Sequence, residues 1–387
     1  MLPFIKENAT LWEYIKTAGS PVVLYGTGDG ADKVLARLAE MGVPVSGIFA
    51  SDEFIRGQKF HGFSVRAYSE LKALREKIIV LTAFASELPE VLDRFYELTR
   101  IHETYAPHMP LFAGDEAVTP EWIREHEAEL QTVYDRLADD VSRETFAGVL
   151  NFKLSGRLFY LKDCTTRRAD DLRELFSFGK EESYLDAGAY NGDTVGEFLE
   201  LVQGHYKKIY AVEPDPVNFK KLTDYVRQNK LENVNCLQAG IWNRCGRLEL
   251  AGNGGRQSTF RRTKPEEKVS SAVQDKVNGF LYKPAARRKT KTQQADVVSV
   301  DSVLGNSRAD YMKFDVEGAE KEALEGAVQH LIPDRNGGLP KLLIAAYHHD
   351  EDIFALPLLL WKLQPEYRIY LRKHPYVPAW EINMFAK

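Results

Sequence analysis

Twice in this chain a short apolar run breaks at a glycine turn that opens a helix: "PVVLYGTGDGADKVLARLAEMG" (21–42) and "SYLDAGAYNGDTVGEFLELV" (183–202). No other feature restricts the fold as much. A strand that runs straight into a helix has no hairpin to pair with, so it builds parallel sheet with helices laid on its faces. Two such starts predict two open α/β units. With 387 residues, each unit has enough chain to bury a core of its own.

After the first turn come "VPVSGIFA", the helical "AYSELKALREK" and the strand "IIVLTAF", so residues 1–112 are expected to form a Rossmann-like α/β domain. Residues 115–150 carry a helical apolar stripe and no strand signal, which makes 113–180 a helical connector. From 181 to 387 the strands "SYLDAG", "KIYAVEP", "VNCLQAG", "DYMKFDV" and "KLLIAAY" alternate with helices, and "GRLELA" is a short accessory strand. The closing "YRIYLRKHPYVPAWEINMFAK" holds two β-rich runs too close together for a parallel crossover, so an antiparallel hairpin is expected there.

A net charge of −5 gives the whole molecule no bias toward nucleic acid or an anionic membrane. Cys164, Cys236 and Cys245 form no C-x-x-C pair, which favours a reducing compartment and argues against a thiolate zinc site. The first twenty residues lack an apolar leader, and "FALPLLLW" is too short to cross a bilayer. A cytoplasmic location is the expectation.

The second glycine turn carries the cofactor signal. Asp186, Gly188 and Gly192 form D-x-G-x-x-x-G from strand to helix, with Asp193 and Thr194 in the helix's first turn, where the dipole suits them. Without a Cβ at Gly188, a ligand can lie against the backbone. Such turns serve NAD, FAD, nucleotides and S-adenosylmethionine alike. Glu213 ends the next strand, 27 positions after Asp186, placed to accept from both ribose hydroxyls of an adenosine. Its alternative is a loop carboxylate capping the helix that starts at Asp215. Gln238, after the third strand, joins the expected cofactor residues. A pyrophosphate normally uses a tighter G-x-G-x-x-G, whereas Ala189, Tyr190 and Asn191 separate the glycines here. The acidic Asp186 also suits a cationic or zwitterionic ligand, as methionine's amino group and sulfonium would be.

"YLDAGAYNGDTVGEFL", "YAVEPDPVNFKKL", "VSVDSVL" and above all "DYMKFDVEGAEKEALEGA" together resemble the successive motifs of the FkbM family of S-adenosylmethionine-dependent methyltransferases, over roughly residues 183–387. The resemblance implies a class I methyltransferase fold, a seven-stranded sheet with a C-terminal β-hairpin, and cofactor contacts at Asp186, Gly188, Gly192 and Glu213. It also implies O-methylation of hydroxyls on sugars and natural products. The acceptor is then a small molecule, such as an anionic sugar or nucleotide-sugar, and self-association is left open.

Asp315 ends the fourth strand, at the carboxyl edge where open α/β sheets bind ligands, and is expected to orient or deprotonate the acceptor. No set of residues is assigned as a metal site, although a divalent ion held by Asp315 and its neighbours would acidify the hydroxyl further. His348 and His349 follow the fifth strand, and one of them is expected to act as a base or a ligand, since neutral imidazole is available near neutral pH; the alternative is a helix-start histidine that only forms hydrogen bonds. Glu320 lies on the apolar helical face of Val316, Ala319, Ala323, Ala327 and Leu331, where a carboxylate must reach back to free N–H groups. Glu317 divides between a catalytic role and a surface pair with Lys321.

Two features stand outside this pattern. Between Arg256 and Lys291 lie eleven Lys or Arg against three acidic residues, within the weakly periodic segment 252–295. That segment is read either as a loop steering an anionic acceptor or as a solvated surface loop. In the N-terminal half, Gly26, Gly28 and Ala31 make a loose G-x-G-x-x-A, with Asp52 and Glu53 placed to meet a ribose. A nucleotide handle and a domain kept for packing are the two readings. Competing functions are an oxidoreductase using that N-terminal turn and a silent nucleotide-binding protein.

Overall fold

The computed structural model describes residues 2–112, 114–251, 259–261, 276–277, 280–281, 292–335 and 337–387. The basic segment therefore lies almost wholly outside the described residues. Six strands form the N-terminal sheet: β1 Val22–Tyr25, β2 Val45–Ala50, β3 Lys59–Phe60, β4 Phe63–Ala67, β5 Ile79–Thr82 and β6 Glu103–Tyr105. Their order is β3-β4-β2-β1-β5-β6, parallel throughout except for the β3–β4 hairpin. Every residue of β1 and β5 is buried, as expected of parallel strands covered on both faces.

The second sheet is built from β7 Ser183–Ala187, β8 Lys208–Val212, β9 Val234–Leu237, β10 Tyr311–Phe314, β11 Lys341–Ala345, β12 Ile369–Lys373 and β13 Ile382–Ala386. It runs β12-β13-β11-β10-β7-β8-β9, and only β13 is antiparallel to its neighbours. The seven strands and the C-terminal hairpin match the expected class I methyltransferase arrangement. A smaller sheet joins Gly240–Ile241, Gly246–Ala251, Thr259–Arg261 and Thr292–Val298. Its last strand begins inside a stretch that had shown little periodicity. Among the described residues no helix is long and apolar enough to cross a membrane.

Helices Pro120–Glu125, Glu127–Arg136, Asp140–Ser155, Leu158–Asp163 and Arg168–Leu175 separate the sheets. The long one starts where the Asp139 side chain accepts from Ser142 N–H and stops at Gly156, whose φ of 66° only glycine takes cheaply. It packs against β12, and the Ser142 hydroxyl accepts from Leu371 N–H at 3.0 Å. That contact explains why an edge strand is buried along its whole length. Arg372 donates to Asp139 and Asp171 on the helical side. Further along, Ser86 and Val377 exchange backbone hydrogen bonds of 2.9 Å, tying the N-terminal sheet to the C-terminal hairpin.

Candidate functional site

Parallel pairing sets Asp186 of β7 beside Lys313 of β10. Asp186 is fully buried. One carboxylate oxygen accepts from the Thr194 hydroxyl at 2.6 Å, and the other lies 3.3 Å from Lys313 Nζ. Lys313 also donates to the Gly188 carbonyl at 3.1 Å and lies 3.8 Å from Asp315. Burial opposes the lysine's charge, yet Asp186 and Asp315 outweigh it and raise its pKa. The cation expected opposite Asp186 is thus part of the chain itself. The signal was a lysine inside the apolar run "YMKFD", and sequence reasoning passed over it.

The turn after β7 is held by its own backbone. Gly188 and Ala189 N–H both donate to the Val212 carbonyl, and Gly192 N–H donates to that of Ala189. Tyr190 adopts φ 46°, unusual for a side chain of its size. A Cβ on Gly188 would sit 1.9 Å from the Asp315 carbonyl oxygen, and one on Gly192 would sit 2.8 Å from the Tyr225 ring. Both glycines are therefore demanded by packing, Gly188 by the end of β10. The turn after β7 and the turn after β10 are consequently in contact.

Glu213 is 5 % exposed. One oxygen accepts from Tyr190 N–H and the other from Asp215 N–H, each at 2.9 Å. Capping of the next helix is done by Asp215, which accepts from Val217 and Asn218 N–H. Burial raises Glu213 to about 7 against the pull of those two N–H groups. Each of its oxygens keeps a lone pair for a further donor. Asp193, at the start of the helix after the turn, and Gln238, just after β9, are exposed.

Asp315, Glu317, Glu320 and His348 meet beyond β10 and β11. Glu320, 1 % exposed, accepts from Val316 N–H at 2.8 Å and Gly318 N–H at 3.1 Å. His348 Nδ1 is 3.0 Å from Glu320 Oε1, and its Nε2 is 3.5 Å from Glu317 Oε2 and 3.7 Å from Asp315 Oδ1. Burial disfavours charge on His348, but Glu320 and Glu317 prevail and hold its pKa well above that of free imidazole. These neighbours favour the protonated ring over the neutral imidazole expected at this position. Burial raises Glu317, and burial with the Glu320 charge raises Asp352 to about 7. The Asp315 side chain, 35 % exposed, is the open end of the group.

The two histidines part company. His349 Nδ1 lies 2.9 Å from Asp115 Oδ2, and its ring packs on Phe112 at 4.7 Å between centroids. Residues from the N-terminal half of the chain thus border the turn beyond β10, which no local pattern announced. Asp350 serves neither histidine. It is buried against Lys153 Nζ at 2.8 Å and His108 Nε2 at 2.7 Å, and the lysine's charge with the hydrogen bonds from both overcomes burial to lower its pKa.

In the N-terminal glycine turn Gly26 is closely packed, whereas Gly28 faces open space. A Cβ on Gly26 would meet the Phe84 ring at 2.5 Å, and one on Gly30 the Ala83 carbonyl oxygen at 2.3 Å. Glu53 pairs with Arg94 at 2.9 Å, and Asp52 accepts from Ser69 N–H. A groove of about 680 Å³ between β6 and the 158–163 helix shares no residue with the constellation described above.

Residues 186–376 match the family described as the methyltransferase FkbM domain. Among solved structures, a methyltransferase FkbM from Methylobacillus flagellatus KT is similar with a TM-score of 0.66 at 20% identity, covering 100% of this chain and 95% of that one. An rRNA methylase from Streptococcus thermophilus reaches a TM-score of 0.33 at 14% identity, over 60% of this chain and 96% of its own. The first likeness shows that the fold is shared along the whole chain, N-terminal sheet included. No curated protein matches the sequence.

Proposed function

The C-terminal half of the chain belongs to the FkbM methyltransferase family, and from that premise we propose that the protein moves the methyl group of S-adenosyl-L-methionine onto a hydroxyl of a sugar, nucleotide-sugar or natural-product-like small molecule. One observation carries the reading. The glycine turn beside Glu213 and the carboxylate turn at Asp315 touch, since a single Cβ at Gly188 would strike the Asp315 carbonyl. A donor held by the first turn and an acceptor held at the second are then neighbours at the carboxyl edge of one sheet.

The donor set fits an adenosine. Glu213 has capacity left for ribose hydroxyls, the 188–192 turn offers glycine backbone, and Asp193 and Gln238 lie open at the rim. Asp186 acts through Lys313, fixing the Gly188 carbonyl and hence the turn. S-adenosyl-L-methionine, when bound, supplies an electrophilic sulfonium methyl. The chain's own tasks are alignment and proton removal. Holding the acceptor oxygen in line at near-contact distance accounts for much of the rate such sites achieve. Asp315 receives the acceptor's proton or orients its O–H, and protonated His348 balances the surrounding carboxylates.

Calorimetry of the full chain with S-adenosylhomocysteine, NAD and a UDP-sugar tests the reading. Saturable binding of the first is expected. Tight binding of NAD with none of S-adenosylhomocysteine would overturn it. Asp315→Asn should keep S-adenosylhomocysteine affinity while methyl transfer falls roughly a hundredfold or more. Undiminished transfer would remove Asp315 from its assigned role.

A further inference from the structure

We propose that Asp315, Glu320 and His348 form a binding site for one divalent first-row transition-metal ion at the acceptor end of the crevice. The purpose of the site rests on the methyl-transfer reading, whereas its existence does not. One ligand atom from each residue lies within 4.8 Å of the others. Ligand atoms about 2.0–2.2 Å from a common ion lie at most about 4.4 Å apart, so the three need close by only a few tenths of an ångström.

His348 makes the case more than a count of acids. Its ring is 3 % exposed and aimed into the carboxylates, yet neither nitrogen has a well-directed hydrogen bond. Ion pairing with Glu320 and Glu317 without hydrogen-bond alignment leaves that buried ring incompletely satisfied, which is costly. Glu320 is already oriented by the Val316 and Gly318 N–H groups, one on each oxygen, as metal-ligating carboxylates commonly are. Glu317 Oε2, 3.5 Å from His348 Nε2, stands by as a further donor. Asp315, the most open member, supplies the way in. Three carboxylates surround one imidazole, and the nearest lysine, Lys313, is shared with Asp186. Mixed imidazole and carboxylate ligation suits manganese, iron, cobalt or zinc better than calcium or magnesium, which favour all-oxygen sets. An ion seated there would displace the His348 proton, since only the neutral imidazole ligates, and would lower the pKa of an acceptor hydroxyl bound to it.

The test is titration of the full chain with Mn²⁺ followed by electron paramagnetic resonance, and with Zn²⁺ by calorimetry. One saturable site per chain is expected. Asp315→Asn and His348→Ala should each weaken Mn²⁺ roughly tenfold or more, and the exposed His205→Gln should leave it unchanged. Asp315 is at the surface of the group, so its variant should keep the wild-type circular dichroism melt. No saturable Mn²⁺ or Zn²⁺ binding by the wild type at millimolar levels would overturn the proposal, as would a site that ignores both substitutions. S-adenosylhomocysteine binding measured in chelator separates the two readings. If it binds and Mn²⁺ does not, the metal site alone falls. If Mn²⁺ binds and it does not, the methyl-transfer reading falls and the metal site stands.

Discussion

Glu213 is a buried carboxylate raised to about 7, first by burial and against two backbone N–H groups. Ribose hydroxyls are best accepted by the ionised form, so S-adenosylhomocysteine affinity should rise from pH 6 to pH 8. In Glu213→Gln that dependence should vanish and affinity at pH 8 should fall about tenfold. Stability runs the other way. A carboxyl whose folded pKa lies above its unfolded value stabilises the fold when protonated. The contribution is full below about 4.5 and lost as pH climbs through about 7. Denaturant melts of Glu213→Gln should therefore lose less stability than wild type over that window. Gly188 is a sharper case, since at φ 86° its Cβ would lie 1.9 Å from a backbone oxygen. Gly188→Ala should cost roughly 2–5 kcal/mol by urea denaturation.

Single elements decide what covers the turn beyond β10. The segment after β6 runs back over the turn beyond β10, and its Phe112 and Asp115 hold His349, which also lies 3.2 Å from the Gly318 carbonyl. A Cβ on Gly318 would meet both His349 and Phe112 at 2.9 Å, so the two segments are closely fitted. Asp115→Asn should speed amide exchange around residues 112–118 and 317–319 and leave S-adenosylhomocysteine affinity unchanged. Equal exchange in the variant would mean that Asp115 does not fasten this cover.

At the scale of the molecule the two halves are joined by buried charge. Lys153 and Asp350, on the long helix and beyond β11, are both largely inaccessible, and His108 completes the group. Lys153→Met leaves Asp350 with less compensation and should cost about 3–5 kcal/mol in chemical denaturation. Adding Asp350→Leu should recover part of that loss, because the stranded charge is gone. Residues 181–387 expressed alone would uncover Arg372 and the whole outer flank of β12, which helix Asp140–Ser155 normally covers. That fragment should show no cooperative melt.

Local chemistry wrote much of this into the chain. Apolar runs, glycine turns and helix starts depend on neighbours a few residues apart, so the two parallel sheets, the closing hairpin and the carboxylates at strand ends were readable before any coordinates. The places of Asp315 and Glu213 at the carboxyl ends of their strands were legible for that reason. Register and long-range packing were not. The partnership of Lys313 with Asp186 spans 127 residues and exists because β7 and β10 pair in one alignment. His348 and His349 are adjacent in sequence, yet packing sends one to Glu320 and the other to Asp115. What packs against Gly26, what covers the turn beyond β10 and which carboxylates face each histidine are set by side chains far apart along the chain. Tertiary structure alone settles these points, because burial and opposing charge act through space and leave no period in the sequence.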